Sequence, residues 1–177
     1  MNITVYLGST FGENAKFKDE ILKLGELIAE GGHTLVYGGS KTGLMGLLAD
    51  TVLQNGGKVV GVETCVFMEL GYGHDGLTEM VVAEDISERK KIMFERGDIF
   101  VAFPGGPGTL EEISEIFSKI KLEEFKGYAV LLNIDGFYKP LVELLDSMHE
   151  QGFMSDECRK RIVAVSGAQD LLHLIGN

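Results

Sequence analysis

Basic charge is scarce in this 177-residue chain: 16 lysines and arginines face 27 aspartates and glutamates, for a formal net charge of -11. A nucleic-acid polymer needs a basic face for its phosphate backbone, so that class of partner is not expected. Cysteine is scarce too. Cys65 and Cys158 stand alone without CxxC spacing, which indicates neither a disulfide framework nor a zinc site and suggests reduced thiols in a cytoplasmic protein. His33, His74, His149 and His173 are scattered without ligand spacing, so no metal is expected, and no other cofactor is implied. No apolar stretch approaches the ~20 residues of a membrane span. The run from Met1 to Leu7 lacks a basic leader and a cleavage region and reads as a first strand. Linkers, internal repeats and low-complexity segments are also missing. Residues 1–177 are therefore expected to form one domain, and 45% hydrophobic residues suffice for its core.

What is present is a regular alternation. Apolar spacing predicts strands at Ile3–Leu7, Thr34–Tyr37, Lys58–Val62, Met80–Ala83, Ile99–Phe103, Tyr128–Leu132 and Ile162–Val165. Between and after them it predicts helices at Ala15–Glu30, Leu44–Leu53, Ser87–Arg96, Leu110–Lys121, Pro140–Glu150, Ser155–Arg161 and Gln169–Ile175. Glu63 to Thr78, with Gly71, Gly73 and Gly76, breaks the rhythm and is expected to be a long irregular loop of the kind that binds ligands. The alternation implies an α/β fold: one Rossmann-like, doubly wound parallel sheet covered by helices on both faces. Ligands of such sheets bind beyond the carboxyl ends of the strands. The turns at Gly8-Ser9-Thr10, Gly38 to Gly46 and Pro104 to Thr109 should converge there.

The richest stretch is Pro104-Gly105-Gly106-Pro107-Gly108-Thr109-Leu110-Glu111-Glu112. It joins an apolar strand to an amphipathic helix through glycines, and the first N–H groups of such a helix, with a dipole of roughly half a charge, favour a phosphate. Gly105, Gly106, Gly108 and Thr109 are thus a candidate phosphate cradle. The same residues admit a second reading, in which Thr109 and Glu112 form a capping box. At the second turn, Gly39, Gly43 and Gly46 either allow close approach of backbone to ligand or simply let a helix pack on the sheet. Two nucleotide fingerprints fail here. Ser40-Lys41-Thr42 lacks the earlier glycine spacing of a Walker loop, and Gly8 to Gly12 lacks GxGxxG, so neither a P-loop NTPase nor NAD is implied.

Arg89-Lys90, Asp98 and the whole Pro104–Glu112 motif occur in the order PGGxGTxxE preceded by an RK pair and an aspartate, with Tyr37 to Gly46 upstream. In this the chain resembles the Lonely Guy family of cytokinin riboside 5'-monophosphate phosphoribohydrolases, often mislabelled lysine decarboxylases. The likeness runs from Gly8-Ser9 to Gly136-Phe137-Tyr138 and Gly152-Phe153. It implies hydrolysis of a purine nucleoside 5'-monophosphate, including substituted adenines, to free base and ribose 5-phosphate, with Arg89 and Glu112 catalytic. An oxocarbenium-like transition state needs a carboxylate near the anomeric carbon, which suits Glu112. Arg89 would orient that carboxylate and the substrate through its planar donors; read without the resemblance, it is a surface partner of Glu88 or Glu95. Gly8, Ser9 and Lys90 join the glycines as candidate substrate contacts, and Lys91 could add local charge. Glu111, about 100° around the helix from Glu112, is expected in solvent, and Asp98 is expected to fix either the start of its strand or the arginine. Ile86-Ser87 before Glu88, and Ser40 in place of a common glycine, depart from the family pattern and bear on base recognition more than on bond cleavage.

The resemblance also implies a homodimer, for which Phe94, Ile113, Phe117 and Ile120 are the apolar candidates. An alternative is a non-catalytic carrier of a phosphorylated ligand, similar to the molybdenum cofactor carrier proteins, which need a cradle but no paired carboxylate. A true lysine decarboxylase would need a pyridoxal-binding lysine in a recognisable setting, and none is found.

Overall fold

The structure, a computed structural model, describes residues 1–175. Along the strands, neighbouring residues face opposite ways and both faces are apolar, as a doubly covered parallel sheet demands. Ile3 and Val5 of β1 (Asn2–Tyr6), Leu35 and Tyr37 of β2 (Thr34–Tyr37), Ile99 and Val101 of β5 (Ile99–Ala102) and Val130 and Leu132 of β6 (Ala129–Leu132) point to one core. Helices α1 (Lys16–Glu30), α2 (Gly43–Gln54) and α8 (Ala168–Ile175) cover that side. The intervening Tyr6, Val36, Phe100, Ala102 and Leu131 point to a second core beneath α4 (Ile86–Arg96), α5 (Pro107–Lys121), α6 (Lys139–Glu150) and α7 (Asp156–Lys160).

With β3 (Lys58–Thr64), β4 (Glu79–Ala83) and β7 (Ile162–Val165), the seven parallel strands run in the order β4-β3-β2-β1-β5-β6-β7. The chain moves outward in one direction from β1 and then, starting at β5, in the other. The switch point therefore lies between β1 and β5, where the Gly8 and Pro104 turns leave the sheet. Among the described residues, no helix is long and apolar enough to cross a membrane.

Three expectations need correction. The helix carrying Glu112 begins at Pro107, with Gly106 in the capping position and no side-chain cap. Proline has no N–H to satisfy and a φ already suited to a first turn, so it starts the helix ahead of Thr109 and the capping box does not form. The segment from Glu63 to Thr78 is not a plain loop. Pairing of Glu63 with Val82 and Thr64 with Ala83 extends β3, a short helix α3 (Cys65–Glu69) follows, and the strand bridge Ser40–Gly73 ties the remainder to the second turn. Finally, Ile113, Phe117 and Ile120 are 0%, 8% and 3% exposed and belong with part-buried Phe94 to the second core. Their stripe faces the sheet and is not free for another chain.

Candidate functional site

Arg89 is the centre of the site, and its position is set locally. The Asp85 carboxylate caps α4 by accepting the Glu88 N–H at 2.8 Å, and Glu88 accepts the Glu84 N–H at 2.6 Å. This fixes the first turn so that Arg89 points into the protein, 8% exposed. Its Nε donates to the Val62 carbonyl at 2.9 Å, and its Nη1 donates to Glu112 Oε1 at 2.9 Å. Glu63 Oε1 lies 3.5 Å from the same Nε. The expected surface pairing with Glu88 or Glu95 is absent, because the side chain reaches inward to carboxylates on other elements. Gly38 makes the room: a Cβ there would lie 2.2 Å from Arg89 Nη2.

Glu112 is 9% exposed. Burial pushes its carboxyl above the ordinary value, and the charge and hydrogen bond of Arg89 pull it back in part. Burial likewise raises Glu63, which Arg89 and the Thr64 N–H only partly offset. Tyr6, buried beside this cluster, is raised first by burial and then by the negative charges of Glu112 and Glu115. One guanidinium thus serves two buried carboxylates.

Two adjoining hollows meet at the β1–α1 turn and share Ser9 and Thr10. The first, about 290 Å³, includes Gly8, Pro104, Gly105, Gly106 and Phe137 in its lining. The second, about 530 Å³, is bounded by Ser40, Thr42, Met45, Glu63, Phe67, Tyr72, Ile86 and Arg89. Gly8, Ser9, Gly105 and Gly106 therefore share the first hollow, and Arg89 lines the second, joined to it through Ser9 and Thr10; Gly108, Thr109 and Glu112 line neither. Gly108 and Thr109 occupy the first turn of α5, whose free N–H groups no side chain caps. Among the described residues, apart from chain neighbours and the helix's own backbone, no atom lies within 4 Å of a Cβ built on Gly106 or Gly108, whereas one on Gly105 would strike Thr109 Oγ1 at 2.2 Å. Tyr138 steadies the base of this turn by donating to the Phe103 carbonyl at 2.8 Å.

Other candidates lie elsewhere. Gly39, Gly43 and Gly46 line neither hollow. Gly43 has φ of 57° and packs on the Ser9 backbone, where a Cβ would lie 2.3 Å from the carbonyl oxygen; on Gly46, a Cβ would lie 2.1 Å from the Lys41 carbonyl oxygen. Their packing use is what the geometry displays. Lys90 joins α4 to α5 through Glu111 at 2.8 Å and Glu115 at 3.2 Å, and Lys91 reaches Glu95 at 3.8 Å. Asp98 accepts the Asn2 N–H at 2.6 Å, so it fixes strands β1 and β5 and not the arginine.

Sequence reasoning missed Glu63 and the aromatic pair Phe67–Tyr72, whose rings meet edge-on at 6.1 Å. An acidic residue at the carboxyl end of a parallel strand was the available signal for Glu63. Among the described residues, no group of three or more His, Cys, Asp or Glu side chains is arranged to hold a metal.

Comparison with known proteins adds relatives. A family model described as possible lysine decarboxylase matches residues 45–175. Over 170 residues, 96% of this chain and 76% of the relative, the sequence is 40% identical to a probable cytokinin riboside 5'-monophosphate phosphoribohydrolase of Oryza sativa subsp. japonica. Over 163 residues, 92% of this chain and 82% of the relative, it is 38% identical to the cytokinin riboside 5'-monophosphate phosphoribohydrolase of Rhodococcoides fascians. Among solved structures, the molybdenum cofactor binding protein of Rippkaea orientalis aligns with a TM-score of 0.74 at 19% identity, covering 99% of this chain and 94% of that one. The molybdenum cofactor carrier protein of Chlamydomonas reinhardtii aligns with 0.73 at 19%, covering 99% and 95%. At such identities the structural likeness speaks for the Rossmann-like fold alone.

Proposed function

Because the chain belongs to the Lonely Guy family of cytokinin riboside 5'-monophosphate phosphoribohydrolases, we propose that it hydrolyses the N-glycosidic bond of a purine nucleoside 5'-monophosphate. The products are the free base and ribose 5-phosphate. The observation that carries this reading is the buried Arg89–Glu112 pair, 2.9 Å apart, in which Glu112 belongs to the helix whose uncapped start forms the Pro104–Thr109 turn. Gly108 and Glu112 are four residues apart, hence on one face and about 6 Å along the axis. That is the scale of a ribose between its 5'-phosphate and its anomeric carbon.

In this mechanism the N–H groups at the start of α5 and the Gly105–Gly106 backbone hold the phosphate, with Gly8 and Ser9 on the facing turn. Glu112 supports the positive charge that develops on the sugar and takes a proton from the attacking water. Arg89 keeps that carboxylate ionised and aimed, and its remaining donors meet the sugar phosphate. A carrier would need the cradle but not a buried carboxylate held by arginine, so the pair favours hydrolysis. No cofactor takes part.

We further propose a homodimer acting in the cytoplasm. The two free thiols suit a reducing compartment. Exposed Leu110 of α5, Leu144 and Met148 of α6, and Phe153 border a groove of about 520 Å³ and form an apolar face that a second copy would cover. Sedimentation should give the dimer mass; a fully active monomer would reject this assembly.

The test of the activity is chromatography of free base released from a panel of nucleoside monophosphates and their nucleosides. AMP or an N6-substituted AMP should be cleaved and the nucleosides poorly, because the cradle offers binding energy only to a phosphorylated substrate. Equal cleavage of AMP and adenosine would remove the phosphate role of residues 105–109, and no cleavage of any nucleotide would leave a carrier.

A further inference from the structure

We propose that Glu63 is the leaving-group acid of this reaction, the residue that protonates the purine as the glycosidic bond breaks. The inference rests on the phosphoribohydrolase reading and assigns a role to a residue that reading does not use. Glu63, the penultimate residue of β3, is 5% exposed and lines the larger hollow together with Phe67, Tyr72 and Arg89. Its Oε1 accepts the Thr64 N–H at 2.8 Å. Among the described residues no hydrogen bond engages Oε2.

The division of labour between the two carboxylates follows from Arg89. Its Nη1 is hydrogen-bonded to Glu112 at 2.9 Å, while its Nε hydrogen is committed to the Val62 carbonyl, leaving Glu63 a looser contact at 3.5 Å. With one cation between two buried carboxylates, the better-paired Glu112 is the one to stay ionised and act as base, and Glu63 is the one to hold a proton. The groups facing Glu63 are Arg89 from α4 and Tyr37 from β2, whose hydroxyl is bonded to the Ser40 carbonyl at 3.1 Å. Neither competes for the proton. The Phe67–Tyr72 pair gives the base an aromatic surface in the same hollow.

In the step, the bond between C1' and N9 breaks and its electron pair leaves on the purine. The Glu63 proton goes to a purine ring nitrogen, and water adds to C1' and gives a proton to Glu112. Neutral base and ribose 5-phosphate result, and solvent returns the proton from Glu112 to Glu63.

The test compares AMP with 7-methylguanosine 5'-monophosphate, whose base is already cationic and departs without a proton. Glu63→Gln should lower kcat on AMP about 100-fold with little change in KM, and should leave kcat on the methylated nucleotide as in the wild type. It should also erase the fall of kcat on AMP at high pH. Normal AMP turnover in the variant, or equal slowing of both substrates, would overturn the assignment. If the variant fails to fold, the wild type decides: the fall of kcat with rising pH should set in earlier on AMP than on the methylated nucleotide, whose own fall awaits loss of the N1 proton of its base, and coincident profiles would overturn it. Wild-type protein that cleaves no nucleotide would defeat the parent reading, a result distinct from these.

Discussion

The two glycine-rich turns, residues 38–46 and 104–108, look alike in sequence and differ in what surrounds them. In the first, the space that side chains would occupy is filled by the protein itself: Arg89 at Gly38, the Ser9 backbone at Gly43 and the Lys41 carbonyl at Gly46. In the second, Gly106 and Gly108 face open space at an uncapped helix start. A glycine packed against protein explains itself by that contact. A glycine beside emptiness at a helix N-terminus keeps room for something from outside, and there an anion is favoured. The first turn therefore builds the site, above all by admitting Arg89, and the second receives the ligand.

The sharpest way to break this contrast is to remove what the first turn admits. Arg89→Ala leaves Glu63 and Glu112 buried without their cation, and should cost about 3–5 kcal/mol in denaturant unfolding and abolish base release. Unchanged stability would mean that the arginine is not the keystone of the buried cluster. Next in size is Gly43→Ala, which forces a side chain onto a positive φ and into the Ser9 carbonyl. A loss of about 1–3 kcal/mol in the urea transition is expected, and a neutral result would deny the turn its packing role.

Gly108→Ala should show the opposite pattern. Stability should hold or rise by up to about 1 kcal/mol, since alanine favours the helix and meets nothing, while KM for AMP rises as the methyl crowds the phosphate. No change in either quantity would argue that the open turn holds no ligand. The smallest effect concerns pH. Burial raises the Glu63 carboxyl in the folded protein, so the stability linked to its protonation is full below the ordinary carboxylate value and is lost as pH rises through the raised one. Glu63→Gln should therefore gain on wild type in melting temperature from acid to neutral pH, and a constant difference would show that the carboxyl is not perturbed.

Much of the architecture was legible because strand and helix periods are local. Each predicted strand and helix has an observed counterpart. The errors arose where distant residues decide. The extension of β3 through Glu63 and Thr64 depends on pairing with β4, some 19 residues on, and the apolar stripe of Ile113, Phe117 and Ile120 could not declare whether a sheet or a second chain covers it. At the α5 start two local signals competed, Pro107 as a first-turn residue and Thr109 as a cap, and the stiffer one prevailed. Within the site, the motif supplied Arg89 and Glu112 but not their contact across 23 residues, nor the third member, Glu63, which belongs to no motif.

The most direct measurement of the central claim is base release by Glu112→Gln, with its AMP binding and melting temperature determined on the same preparation. The variant keeps the shape of the buried pair and leaves the cradle intact. The rate should fall about 100-fold or more while the protein remains folded and still binds AMP in preference to adenosine. Wild-type hydrolysis by a stably folded Glu112→Gln protein would contradict the catalytic role of the pair.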